Sequence, residues 1–428
     1  MQQSPAFAGE ANLPHSQLMR YFGTRIGMKP VPRMFCLGLL LLWTWNLVGC
    51  TVPNRKRDIP QVKLTIQNTL PIKRESVPIV LALDELKQIA SDFSFDAYLV
   101  GQPPREIHSQ ADDTNYDGQR DELVFLVDLE PQETKEVSIR YSSSNQMPIT
   151  LGFPKRTRVG IFPELGGFAA FESELIAYLF YPSGSIRPYA KKTKGLFIDR
   201  LVREVAAPSN SSEEAMTPLT ATNDLIGAGG YALWDTANQK LIALPDSAQD
   251  YVRVLADGPV RSVVQRIIPS LQLSNSILHL TSTLSIYAGN RWGEHRIKVQ
   301  GWSDQYRIAI GVPNRGIAMK KSEKKGWLWT WDEQETTSPS TQVGFGLIYP
   351  VAQFETFQDA INLGSQRVYT VLLTPDENGE VVYRFSSIWE EGEAGIQTKE
   401  EFDLHVEVTA TEIQTPPVIR LLPQTPEA

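Results

Sequence analysis

"VRSVVQRIIPSLQLSNSILHLTSTLSIYAGNRWGEHRIKVQGW", residues 260–302, decides the fold. It holds three runs, at 260–268, 277–287 and 295–302, in which apolar and polar side chains alternate, β-branched residues dominate, and Gly, Pro and Asn mark the ends. Period-two alternation is the signature of a half-buried strand, because successive side chains point to opposite faces. The same pattern recurs at VKLTIQN (62–68), LVFLVD (123–128), KEVSIRY (135–141), ELIAYLFY (174–181), YVRVL (251–255) and RVYTVLL (367–373). The best helical pattern, DELKQIASDF at 84–93, is short. An all-β protein, its strands joined into a large sandwich, is the expectation. Within the opening stretch, alternation puts His295 on the face of Ile297 and Val299, as a core histidine, and Glu294 and Arg296 on the polar face beside Trp292.

The chain's other decisive segment is MKPVPRMFCLGLLLLWTWNLVGC, residues 28–50. Lys29 and Arg33 form a charged flank, and the apolar run that follows, roughly 16 residues, is short for a membrane span and suits an export signal. Leu47-Val48-Gly49-Cys50 resembles the lipobox of bacterial lipoproteins, which implies cleavage before Cys50 and lipidation of its thiol. The only other cysteine, Cys36, lies inside the segment that would be removed, so no disulfide is expected. Residues 1–27 are polar and precede the charged flank, as a mis-set start or disordered extension would, and residues 50–60 read as a tether.

Removing residues 1–49 takes away Arg20, Arg25, Lys29, Arg33 and Glu10, leaving 37 basic against 48 acidic residues and a formal charge of -11. Such a surface does not hold nucleic acid by neutralising phosphates. GAGG at 227–230 is a lone glycine cluster, better read as a turn than as a phosphate loop, so no nucleotide is expected. Nearly 380 remaining residues suggest two domains, an N-terminal β domain at 61–150 and a large β-sandwich at 151–415, with a Pro-rich tail at 416–428. A loop rich in Ser, Glu and Pro interrupts the larger part at 207–222.

The acidic loop DDTNYDGQRDE, residues 112–122, admits two readings. Asp113, Asn115, Asp117 and Gly118 match the start of a calcium-binding loop, with Asp121 where a water-mediated ligand often sits. Val124 occupies the position of the expected bidentate Glu, leaving Glu122 as the substitute. The competing reading is an Asx-turn in which the acids cap their own backbone. Ca2+ is thus the one cofactor the sequence admits.

The segments QNTLPIKRESVPIVLAL, DDTNYDGQRDELVFLVDLEP, FESELIAYLFYP, IGAGGYALWD, VRVLADGPVRSVVQR and YAGNRWGEHRIKV, taken in order, resemble those of a bacterial family known as domain of unknown function 4861. The resemblance runs from about residue 61 to 410. It implies secreted or lipid-anchored β-proteins linked to polysaccharide breakdown, with a small N-terminal β-barrel and a large sandwich similar to galactose mutarotases and some polysaccharide lyases. The chain departs from the family where a segment with His and Trp is expected before the Gly-rich strand; SSEEAMTPLTATNDLIGAGG stands there instead. Between His108 and His279 there is no histidine, which puts a His-dependent activity there in doubt.

Cleavage of a uronate polymer by elimination needs a cation to neutralise the carboxylate, a base for the C5 proton and an acid for the leaving oxygen. Strand alternation places Glu172, Glu174 and Tyr178 on one face, with Arg187, Tyr189, Lys191, Lys192 and Lys194 in the next loop, so Glu172, Glu174, Tyr178 and Lys192 are the candidate catalytic set and Arg187 a candidate substrate contact. A solvated charged surface is the competing reading. GWLWTWD, residues 326–332, projects Trp327, Trp329 and Trp331 from one face, either as a sugar-stacking platform or as core. Asp332, Glu333 and Glu335 follow, which favours an exposed Trp331. Trp292 and Arg296 complete the candidate substrate contacts.

The sequence therefore predicts an exported, lipid-anchored carbohydrate-active protein, a lyase or hydrolase of acidic polysaccharide. The rival is a non-catalytic glycan-binding or envelope structural lipoprotein.

Overall fold

A computed structural model describes residues 59–102, 105–142, 152–206, 216–220, 226–247, 250–274, 276–314, 318–334, 341–363, 366–393 and 395–423. The expected extension, the signal segment, Cys50, the tether up to residue 58 and most of the 207–222 loop lie outside the described residues. Asp58–Ala428 cluster as one compact unit.

The alternating stretch forms the centre of an eight-stranded antiparallel sheet. Its order is Tyr251–Asp257, Arg261–Gln272, Ile277–Tyr287, Gly293–Gln300, Glu380–Trp389, Thr341–Ile348, Trp327–Gln334 and Ala318–Ser322. Leu280, Leu284 and Ile297 face inward, where they share one core with Ile308, Ile310 and Val371 of a five-stranded sheet. A further five-stranded sheet, from Thr157–Gly160 to Met216–Pro218, contributes Phe171, Tyr178 and Phe180 to that core. The outward residues of the eight-stranded sheet, Val263, Ser285, Glu294 and Arg384 among them, are left to line whatever covers it.

A separate core holds the N-terminal part together. Val62, Leu64 and Ile66 of strand Gln61–Gln67 pack with Ile79, Leu81, Phe125 and Ile139. These residues come from a five-stranded sheet and a three-stranded sheet, the latter ordered Arg74–Ala82, Glu122–Leu129, Ser109–Asp112. Helix α1, Leu83–Ile89, overlaps the first part of the 84–93 span the sequence suggests and starts one residue before it. The expected Pro-rich tail is different: Val418–Leu422 is a strand, paired antiparallel with Gln61–Gln67 in the register Lys63↔Leu422 to Gln67↔Val418. The two prolines, Pro416 and Pro417, precede that strand and do not interrupt its ladder.

Two helices escape a reading by alternation: α2, Ile198–Ala206, and α3, Lys399–Gln414. Helix α3 carries Val406, Val408, Thr409, Thr411 and Ile413, residues that favour strands, but its start is secured by a capping box. Thr398 Oγ1 accepts the Glu401 amide at 3.2 Å, and Glu401 accepts the Thr398 amide at 3.3 Å. Among the described residues, no helix is long and apolar enough to cross a membrane.

Candidate functional site

The residues singled out at 172–194 do not converge on a cleft. Glu172 lies within strand Ala169–Ser173, whereas Glu174 lies in the hairpin bend before strand Ile176–Phe180, so the two do not share a strand face. Glu172 is fully buried and paired with Lys191, and it accepts the amides of Phe197 and Ile198 at 2.8 Å. Lys191 also donates to the carbonyls of Ser173 and Gly195, at 2.6 and 2.7 Å. Burial pushes the Glu172 carboxyl up and the Lys191 ammonium down, while their contact with each other supports the charged forms. Every group in the pair is occupied within the fold. Its work is to hold the 192–197 loop against the hairpin.

Glu174 pairs with Arg156 and accepts the Gly289 amide at 3.0 Å. Tyr178 is fully buried; its hydroxyl donates to the Arg291 carbonyl at 2.8 Å and accepts the Ser387 amide at 3.2 Å, and burial pushes its pKa up. Lys192 is exposed. Arg187 donates to the Thr220 carbonyl at 2.9 Å and to the Tyr189 hydroxyl at 3.1 Å. The only void bordered by Glu174 and Lys191 among the cavities described is about 10 Å³, too small for a sugar.

The three tryptophans are core. Trp327, Trp329 and Trp331 are 1, 3 and 6 % exposed and pack against Phe402 and Val406 of α3, which corrects the expectation of an exposed Trp331. The Trp329 indole N–H donates to Asp403 at 2.8 Å. A helix hidden from the sequence pattern covers the face that the alternation correctly groups.

In the acidic loop the carboxylates turn onto their own backbone. Asp113 accepts the amides of Tyr116, Asp117 and Gly118; Asn115 accepts from Asp117, and Asp117 from Gln119. Asp121 accepts the Thr114 amide and hydroxyl and the Asn115 amide. Glu122 leaves the loop altogether to pair with Arg261 at 2.5 Å. This is the Asx-turn geometry. Among the described residues there is no group of three or more His, Cys, Asp or Glu disposed to hold a metal.

A separate cleft lies elsewhere among the described residues, and it contains Trp292, Arg296 and Glu122. Its volume is about 650 Å³. The floor is the outward face of the eight-stranded sheet, one wall comes from strand Arg74–Ala82 and Glu122, and another from the end of α3 with Glu412, Ile413, Pro416 and Pro417. Strand register arranges the floor into rows. Val263, Ser285, Glu294, Arg384 and Ile348 are successive cross-strand partners, and Gln265, Thr283, Arg296 and Val382 form the adjoining row. Side chains so paired stand about 5 Å apart, close enough to act on one ligand.

Charge on this floor is balanced locally. Glu294 contacts Arg384 at 2.5 Å and Arg296 at 3.9 Å. Arg261 pairs with Asp112 at 2.7 Å and with Glu122, and faces Tyr287 across the strands. Burial works against the Arg261 charge, but Tyr287, Asp112 and Glu122 together hold its pKa above the usual value. Burial likewise raises the Tyr287 hydroxyl. On the opposite wall Arg74 donates to the carbonyls of Thr415 and Glu412, both at 2.9 Å, closing the end of α3. Burial raises the Glu412 carboxyl, with Arg74 opposing the shift. Trp292, 6 % exposed, stacks on His405 at 5.5 Å, and its indole nitrogen finds no hydrogen-bond partner among the described residues.

Arg74 reaches the cleft through a kink. The pairing of Arg74–Ala82 with Glu122–Leu129 shifts register between Arg74 and Val77, and Ser76 there adopts φ 50°, a left-handed conformation costly for a residue with a Cβ. The strain is held by hydrogen bonds from Ser76 N–H to Asp128 at 2.8 Å and from Asn290 to the Ser76 carbonyl at 3.2 Å. Sequence reasoning missed Arg74, Arg261, Arg384 and Glu412, because the positions that place them together are far apart in the chain.

An α-mannosidase from Enterococcus faecalis is 11% identical, with a TM-score of 0.45; the match covers 85% of this chain and 46% of the mannosidase. A glycosyl hydrolase family 38 protein from the same organism is 11% identical, with a TM-score of 0.47 over 85% of this chain and 47% of its own. The chain thus spans about half the length of either. No curated protein matches it. Residues 66–419 match the family described as a domain of unknown function, DUF4861, and the chain belongs to that family.

Proposed function

We propose that the protein is an exported, lipid-anchored carbohydrate-active protein whose cleft binds and cleaves a segment of acidic polysaccharide. The observation that carries this reading is the row Ser285–Glu294–Arg384 on the cleft floor, flanked by Arg296, Trp292 and Tyr287. A guanidinium fork suits the planar carboxylate of a uronate ring, and carboxylate and hydroxyl side chains suit its hydroxyls.

The chemistry assigned is elimination. Arg384 and Arg296 neutralise the substrate carboxylate, which acidifies the neighbouring C5–H. Glu294 accepts that proton, the C4–O bond breaks as the C4–C5 double bond forms, and Glu412 gives its proton to the departing oxygen. A carboxyl raised by burial is suited to the last step, because it keeps its proton to higher pH than an ordinary glutamate.

A second reading, glycan binding without cleavage, is favoured by one observation: Glu294 is already engaged by two arginines. Incubation with a panel of polysaccharides, followed for both unsaturated products and reducing ends, separates the readings. Unsaturated ends support elimination, reducing ends alone indicate hydrolysis, and binding without either leaves the non-catalytic reading.

The anchor rests on Leu47-Val48-Gly49-Cys50 after a charged flank and a short apolar run. Cys50→Ser is expected to abolish lipid labelling and signal cleavage; normal processing and membrane retention of that variant would contradict the anchor.

A further inference from the structure

We infer that the ligand is a chain of several sugar rings laid across the strands, passing beneath the end of α3 into a second chamber. The inference rests on the reading of the main cleft as an acidic-glycan site, and it adds the length and direction of the ligand.

The second chamber is about 450 Å³ and is lined by Ile348, Tyr349, Val351 and Val382. Arg384 and Ile413 line both chambers. Arg384 is therefore the floor where the two meet, and Ile413, in the last turn of α3, stands over the same junction. The register supplies continuity: the row from Val263 through Ser285, Glu294 and Arg384 ends on Ile348, which belongs to the second chamber. That row crosses five strands. With neighbouring strands about 4.8 Å apart, it extends roughly 19 Å, the reach of several linked rings and much more than one.

The chemistry changes along this path. Arg261, Glu122 and Tyr287 mark one end, the Glu294–Arg384–Arg296 cluster the middle, and the far end is apolar but for the Gln414 side of the last helical turn. Acidic groups are thus recognised in the middle, while the flat C–H faces of the following rings lie on Val382 and Val351, backed by the buried Ile348 and Tyr349. Val351, 42 % exposed, forms the outer rim. A ligand of one or two rings satisfies the middle and leaves the second chamber unused.

The test is affinity against length, measured calorimetrically with linear uronate oligosaccharides from di- to hexasaccharide, drawn from galacturonate, mannuronate, guluronate and glucuronate series. For the series that binds, the dissociation constant is expected to fall by about tenfold or more from disaccharide to hexasaccharide, the gain from an added set of contacts worth one decade. Val351→Asp and Val382→Asp, each checked for an unchanged melting profile, should erase most of that gain; Val351 is exposed enough for its variant to fold. An affinity that stays flat beyond the disaccharide overturns the inference and leaves the acidic-glycan reading standing. A length-dependent gain that both folded variants retain overturns it as well. Failure of every series to bind at any length removes the reading on which the inference rests, and the inference with it.

Discussion

Arg261, on the floor of the cleft, grips Asp112 of the N-terminal part at 2.7 Å, and both side chains are more than nine-tenths buried. Gln110, two residues before Asp112, reinforces the joint by accepting the Val260 and Arg261 amides at 2.8 and 3.0 Å. The two cores are thereby locked at the point where the cleft forms. Arg261→Ala leaves Asp112 buried without its cation, and removal of one member of a buried pair costs about 3–5 kcal/mol. Urea unfolding should show a loss of that size, whereas a midpoint equal to wild type would contradict the joint.

Trp329 tests the burial of the tryptophan face. Trp329→Ala removes a core side chain and its bond to Asp403, and should cost on the order of 3–5 kcal/mol. Glycan affinity per folded molecule should not change. A variant of normal stability that no longer binds polysaccharide would restore the stacking platform.

Acid should destabilise the fold through His295. Its ring is fully buried between the Ser282 and Tyr383 hydroxyls, and burial lowers its pKa from 6.5 to about 3. The folded state holds this histidine neutral, so between pH 6.5 and about 3 the unfolded chain binds the extra proton. Stability from this group is therefore complete above pH 6.5 and is lost as pH falls, by up to about 1.4 kcal/mol per unit. His405, lowered to about 4, adds to the same slope. Unfolding free energies measured from pH 7 to 5 should decline, and less steeply in His295→Gln; parallel slopes would contradict the assignment.

The acidic loop should be indifferent to calcium. Because Asp113 and Asp121 already serve backbone amides, melting temperatures with calcium and with chelator should coincide, and Asp113→Ala should lose about 1 kcal/mol, as for other side-chain caps. Melting that rises with calcium would return Asp113, Asn115, Asp117 and Asp121 to the role of ligands, since a ligand bound only to the native state stabilises it.

Alternation made the sheets legible: the runs at 260–268, 277–287 and 295–302 fall on strands Arg261–Gln272, Ile277–Tyr287 and Gly293–Gln300, and His295 points to the core as the pattern requires. It also put Glu294 and Arg296 on the outward face beside Trp292. What alternation cannot supply is strand order. Glu380–Trp389 enters the sheet beside Gly293–Gln300, and only that non-local pairing brings Arg384 to Glu294. Glu412 and the burial of Trp327, Trp329 and Trp331 depend on α3, whose β-branched residues mask its helical character. The one local signal for it was the Thr398–Glu401 capping box.

The most direct test of the cleft assignment compares an acidic polysaccharide with its carboxyl-reduced counterpart, using wild-type protein and Arg384→Ala. A charged hydrogen bond to a buried partner contributes about 1.5–3 kcal/mol, so loss of Arg384 should weaken binding of the acidic polymer by roughly ten- to a hundredfold. The carboxyl-reduced polymer should bind wild type weakly and the variant no worse. Equal affinity of wild type for both polymers, or an Arg384→Ala protein that is folded and binds the acidic one unchanged, would contradict the account.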